Sequence, residues 1–307
     1  MKITYVFSSV ALFVSLLGGC AAPQPYVSES RLNRGLVIVL PGIEGRSVLN
    51  EEICRGLNAG GVDGAIELYD WTTGVPFAFI WNLWSSDRNH DKAAELAERI
   101  ARYQFNYPGR PVVLVGQSGG AAVATWTCEA MRWGRKVDGA VMLAASLSPG
   151  YRLTTALDST KRGIVNFYSS RDVLLLWAGT SIYGTMDGKH STSAGNVGFS
   201  VPTGKLRTKE YDRLFQVPWR SEMASTGNLG MHLTSGTASF VARYVAPIVR
   251  AGRWNRQIIE NVTQPPKKPA NPVKPAAPVR PAVPARSIMT PSRRAPTISR
   301  PAPTKAR

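Results

Sequence analysis

The chain has 307 residues, room for one α/β domain of roughly 230 residues plus extensions. Hydrophobic residues make up 44%, enough for a full core and too much for a chain disordered throughout. Net charge is +17, yet ten Lys/Arg, no Asp or Glu and twelve prolines fall between Gln264 and Arg307, so most of the charge belongs to the tail.

The first twenty residues are a separate object. Lys2 precedes an apolar stretch from Val10 to Leu17, which leads through Gly18 and Gly19 to Cys20. This pattern resembles the secretory signal and lipobox of bacterial lipoproteins. The resemblance implies removal of residues 1–19, a diacylglyceryl group on Cys20, and a membrane-anchored place in the bacterial cell envelope, periplasmic or outer-membrane associated. An ordinary signal peptide or short anchor is the plainer alternative, but the apolar run is short for a bilayer span. Residues 20–34 then read as a tether to the domain.

Gly35 to Leu40 is a continuous apolar run, as expected of a central parallel strand buried on both faces. Pro41, Gly42, Ile43, Glu44 and Gly45 break it, and Ser47 to Leu57 has helical spacing. A second strand is expected over Ala65 to Tyr69. The aromatic-rich stretch Val75 to Trp84 reads as a loop that lines an acyl pocket, touches lipid, or is buried under a neighbouring helix. Asp91 to Tyr103 is amphipathic, with Ala94, Ala97, Ile100 and Ala101 on one face. Further strands are expected over Pro111 to Val115, Gly139 to Ala144, Ile164 to Tyr168 and Leu214 to Val217, with a closing helix over Thr237 to Arg250. Strands alternating with helices predict a mostly parallel sheet covered on both faces. Cys54 and Cys128 fall on helices over opposite faces, so they read as small buried hydrophobes rather than a disulfide.

The most informative segment is Val112 to Ala124. An apolar strand stops at Gly116, Gln117, Ser118, Gly119 and Gly120, and a small-residue helix follows. Strand, sharp turn and helix around G-x-S-x-G are the parts of a nucleophile elbow. An ordinary βα turn with a capping serine is the bland alternative. A serine hydroxyl needs a base, and the base needs an orienting acid. Of three histidines, His90 precedes the serine on a solvent-facing helix. His190 lies in a Gly/Ser/Thr-rich loop, whereas His232 follows the last strand and precedes the closing helix. His232 is therefore the expected base and His190 its rival. Asp172 follows a buried strand and is the expected acid, although it could instead cap the next helix. Asp158 and Asp187 are fallbacks. Residues 178–212 become an excursion between acid and base.

The order Pro41-Gly42, Ser118, Asp172, His232 resembles the α/β-hydrolase superfamily over residues 35–251. That resemblance implies an α/β-hydrolase fold, and a serine esterase or lipase-like enzyme working through an acyl-enzyme without metal or organic cofactor. It further implies an oxyanion hole from the backbone N–H groups of Ile43 and Gly119. Pro41 stands where many members carry histidine, and the acid-to-base interval is long. The domain is thus set at 35–262 and the tail at 263–307. The expected partners are a small-molecule or lipid ester, the membrane through Cys20, and an anionic envelope polymer through the tail, with no nucleic acid. A non-catalytic envelope lipoprotein using the same scaffold and tail for binding is the alternative.

Overall fold

The computed structural model describes residues 24–75, 79–172 and 184–264. Cys20, Val173 to Trp177 and the basic tail fall outside these residues. Six strands form one sheet: β1 (Leu36–Leu40), β2 (Ala65–Leu68), β3 (Val112–Gln117), β4 (Gly139–Leu143), β5 (Ile164–Tyr168) and β6 (Leu214–Pro218). Their order is β2-β1-β3-β4-β5-β6, and every neighbouring pair is parallel. The chain moves outward from β1 to β2, then crosses back to β3. Such a reversal opens a crevice beyond the carboxyl ends of β1 and β3.

All five residues of β1 and all six of β3 are buried, which explains their continuous apolar sequence. Alternate residues feed two cores. Leu36, Ile38, Leu40 and Leu114 face helices α4 (Ser86–Asn106) and α5 (Gly119–Ala130), against Leu96, Ile100 and Trp126. Val37, Val39, Val113 and Val115 face α2 (Val48–Ala59) and the closing helix, against Ile53, Leu57, Phe240 and Val245. Cys128 sits in the first core and Cys54 in the second, across the sheet from each other. Burial raises both thiols to about 12, so neither is a ready nucleophile.

Several boundaries differ from the sequence reading. Residues 24–34, read as tether, lie on the domain and include the short helix α1 (Glu29–Leu32). The Arg31 guanidinium donates to the carbonyls of Gly64 and Val62 and to Asn58, contacts that leave no trace in local periodicity. The aromatic stretch contains a helix, α3 (Phe79–Trp84), rather than only loop. Helix α4 begins five residues before the expected Asp91, because its first turn is polar and packs through Asn89, which donates to the Asn82 carbonyl at 2.6 Å. The closing helix contains a π-helical turn, Val241–Val245, and a further helix, Arg256–Thr263, packs Ile259 into the second core.

Candidate active site

The elbow follows from two close approaches. A Cβ on Gly116 would lie 2.6 Å from the Ala121 nitrogen, and one on Gly120 would lie 2.6 Å from the Leu40 carbonyl carbon. Only hydrogen fits at either place. Between them Ser118 takes φ 55° and ψ −120°, a conformation that non-glycine residues adopt only when their surroundings impose it. Its N–H donates to the Leu143 carbonyl at 2.9 Å, and its own carbonyl accepts from Ala121 and Ser146 at 3.1 Å. These bonds lock the turn at the carboxyl edge of β3 and β4.

His232 opens a short 3-10 turn, His232–Gly236, on the far side of the crevice. Its Nε2 lies 2.8 Å from Ser118 Oγ, and its Nδ1 lies 2.9 Å from Asp172 Oδ2. Serine, histidine and aspartate are 5%, 5% and 3% exposed, so the relay is shielded from water. A carboxylate beside Nδ1 selects the tautomer protonated there; Nδ1–H then donates to Asp172 and Nε2 accepts the serine proton. Asp172 Oδ1 is buried and makes no hydrogen bond among the described residues.

The three side chains come from different elements and are held separately. Asp172 follows β5; its N–H donates to the Ser169 carbonyl at 2.9 Å and its carbonyl accepts from Asn196 at 3.1 Å. The loop before His232 is organised by Asn228, which is buried and accepts from the Gly230 N–H at 2.9 Å. Thr234 Oγ1 accepts from the N–H groups of Leu229 and Met231 at 3.1 Å. Trp219 Nε1 adds a bond to the Asn228 carbonyl at 2.8 Å. None of these supports carries a sequence signature beyond Asn and Thr lying near glycines.

The loop after β1 closes the other side. Trp71 Nε1 donates to the Pro41 carbonyl at 2.8 Å, and Asn82 Nδ2 donates to the Ile43 carbonyl at 2.9 Å. A Cβ on Gly119 would lie 2.8 Å from Ile43 Cγ2, so the two expected oxyanion residues are neighbours. Glu44 received no role from the sequence. Its carboxyl accepts from Asn50 at 3.2 Å, and burial raises its pKa, opposed by local hydrogen bonds and by the charge of His232. It thus belongs to the surroundings of the imidazole, through tertiary packing alone.

The rival side chains lie elsewhere. His190 is exposed, and His90 packs against Trp126 with ring centroids 4.2 Å apart and planes tilted by 33°. Asp187 accepts from Ser148 and Thr185, tying the excursion to the loop after β4, and Asp158 pairs with Lys136 at the surface. A cavity of about 20 Å³ lies behind Asp172, lined by Trp219, Met223, Asn228 and Ser235, and has room for one water-sized group, not an acyl chain. A larger one, about 340 Å³, opens at the opposite edge around Gly35 and Pro111. Among the described residues no group of three or more His, Cys, Asp or Glu is placed to hold a metal ion.

Sheet order, switch point and elbow define the class: this chain has the α/β-hydrolase fold. No family model matches the chain, and no curated protein matches it. Among solved structures it is similar to Aspergillus fumigatus lipase B, at 11% identity and a TM-score of 0.47, over 78% of this chain and 58% of the lipase. A Trichoderma reesei cutinase, in complex with a phosphonate inhibitor, aligns at 13% identity and 0.36, over 82% of this chain and 94% of that one. A cutinase-like protein from Cryptococcus sp. aligns at 15% and 0.37, over 73% and 96%. The chain therefore spans less than three fifths of the lipase.

Proposed function

We propose that this chain is a serine hydrolase of carboxylic esters, and that it works as a lipoprotein anchored through Cys20 in the bacterial cell envelope. The observation that carries the catalytic half is the continuous relay Ser118 Oγ, His232 Nε2, His232 Nδ1, Asp172 Oδ2, with contacts of 2.8 and 2.9 Å. A strained, glycine-flanked backbone at Ser118 supports the same reading, because a capping serine needs no such conformation.

The chemistry runs in two halves. Ser118 Oγ attacks the ester carbonyl as His232 Nε2 takes its proton, and Asp172 stabilises the imidazolium that forms. The N–H groups of Ile43 and Gly119 hold the developing oxyanion, aided by the N-terminus of α5. His232 returns the proton to the departing alcohol, leaving Ser118 acylated. Water, deprotonated by His232, then attacks the acyl-enzyme and releases the acid.

The test is a series of p-nitrophenyl esters of increasing chain length against wild type, Ser118→Ala and His232→Asn. Each substitution is expected to lower kcat by about 10⁴-fold or more. Full turnover by Ser118→Ala would end the reading. Full turnover by His232→Asn would move the base elsewhere. For the anchor, mass spectrometry of the exported protein is expected to find a diacylglyceryl thioether on Cys20, absent after Cys20→Ser. The proposed role of the tail, contact with an anionic envelope polymer, is supported by its charge and by the scarcity of large apolar residues in it.

A further inference from the structure

The path of residues 24–26 limits how far from the domain an anchor at Cys20 could lie. Leu68 N–H donates to Gln24 Oε1 at 2.7 Å, Gln24 Nε2 donates to the Leu68 carbonyl at 3.0 Å, and Ile66 N–H donates to the Tyr26 carbonyl at 3.1 Å. Tyr26 is thus beside the middle of β2 and Gln24 beside its last residue. This segment runs antiparallel to β2 along its outer edge, which puts Gln24 at the carboxyl end of that strand. Ser118 and the Ile43 loop occupy that same end. Cys20 lies four residues before Gln24, and four residues of any conformation reach at most roughly 14 Å.

A second, independent observation is what that end displays. Val75, Phe79 and Trp81 are 62%, 37% and 66% exposed, beside the loop that Asn82 binds at Ile43. Across the crevice, Leu229 and Met231 are 49% and 45% exposed, immediately before His232. Exposed apolar side chains flank the serine on two sides, with a tryptophan among them, a residue suited to the boundary between water and acyl chains.

We propose that the mature protein docks through this apolar collar onto the bilayer that holds its own Cys20 lipid, with Ser118 opening toward the lipid surface. Its substrates are then acyl esters carried in that membrane rather than dissolved esters. The docking half rests on the anchor at Cys20; the substrate half also rests on the hydrolase reading above.

The test uses the full-length, lipidated protein reconstituted in phosphatidylcholine vesicles. Single cysteines at Val75→Cys, Met231→Cys and Phe105→Cys each receive an environment-sensitive fluorophore; Cys54 and Cys128 are buried and do not compete. Phe105 is 78% exposed but precedes β3, at the opposite edge of the sheet. On reconstitution, labels at 75 and 231 are expected to shift to the blue and to lose intensity when the lipid chains are brominated, while the label at 105 does neither. Labels at 75 and 231 that stay water-like overturn the proposal, as does a protein that fails to float with the vesicles. A blue shift without quenching by bromine also overturns it, since it marks contact with another protein, such as a second copy. Assaying ester turnover of the reconstituted wild-type protein, with Ser118→Ala as the blank, separates the two readings. Quenched labels on a protein without esterase activity would sink the hydrolase reading and the substrate half while docking stands; an active enzyme with water-exposed labels would sink docking alone.

Discussion

Asp172 meets His232 through one carboxylate oxygen, while the other is buried without a hydrogen bond among the described residues. In the proposed relay its main task is to hold the imidazole, and burial of the uncompensated oxygen costs stability. Asp172→Asn is expected to lower kcat by about 10⁴-fold, through loss of the correct tautomer, with a melting temperature equal to or above that of wild type. Steady-state kinetics and thermal denaturation on one preparation check both halves; a kcat within tenfold of wild type would remove Asp172 from the relay. These three residues were legible because chain order and a scarcity of histidines narrow the choice, and because each follows a recognisable strand. Asn228, Thr234 and Glu44 were not, since their partners lie in loops whose mutual approach no local pattern encodes.

At the scale of elements, the elbow is where sequence and structure agree most closely, since sterics alone dictate Gly116 and Gly120. Gly120→Ala would drive a methyl into the Leu40 carbonyl, and is expected to cost about 3 kcal/mol in denaturant unfolding. An unchanged midpoint would show that the elbow is looser than described. Helix α5 carries a second consequence. At its end Glu129 accepts from the Tyr151 hydroxyl at 2.9 Å, and burial raises its carboxyl from 4.5 to about 7. The folded state keeps a proton that the unfolded chain has released between those values, so stability falls as pH rises through that window and levels off above it. Glu129→Gln keeps an acceptor and removes the titration. Its melting temperature, compared with wild type, is expected to gain from about pH 4.5 to pH 8; a constant difference would contradict this. Helix α3 escaped the sequence reading because Pro76 and a run of aromatics obscure its short periodicity, and α4 was read short because its polar first turn lacks an apolar stripe.

For the whole molecule, the alternation of strands and helices predicted the sheet and both covering layers, because buried parallel strands must be apolar along their length. The separation of Cys54 and Cys128 by the sheet followed from the same alternation. Residues 24–34 were read as tether because the pairing of Gln24 and Tyr26 with β2 uses backbone and amide groups, which leave no apolar signature. The basic tail is a separate matter. Truncation after Gln264 is expected to leave melting temperature and ester turnover unchanged and to abolish co-sedimentation with anionic cell-wall polymer. Unaltered co-sedimentation would assign that contact to the domain instead. The central claim, that Ser118 is a nucleophile activated by His232, is tested most directly by a fluorophosphonate probe on the folded, full-length protein, with the adduct mapped by mass spectrometry. A stoichiometric adduct on Ser118, lost in His232→Asn, is expected; a folded wild-type protein that stays unlabelled, or is labelled elsewhere, would contradict it.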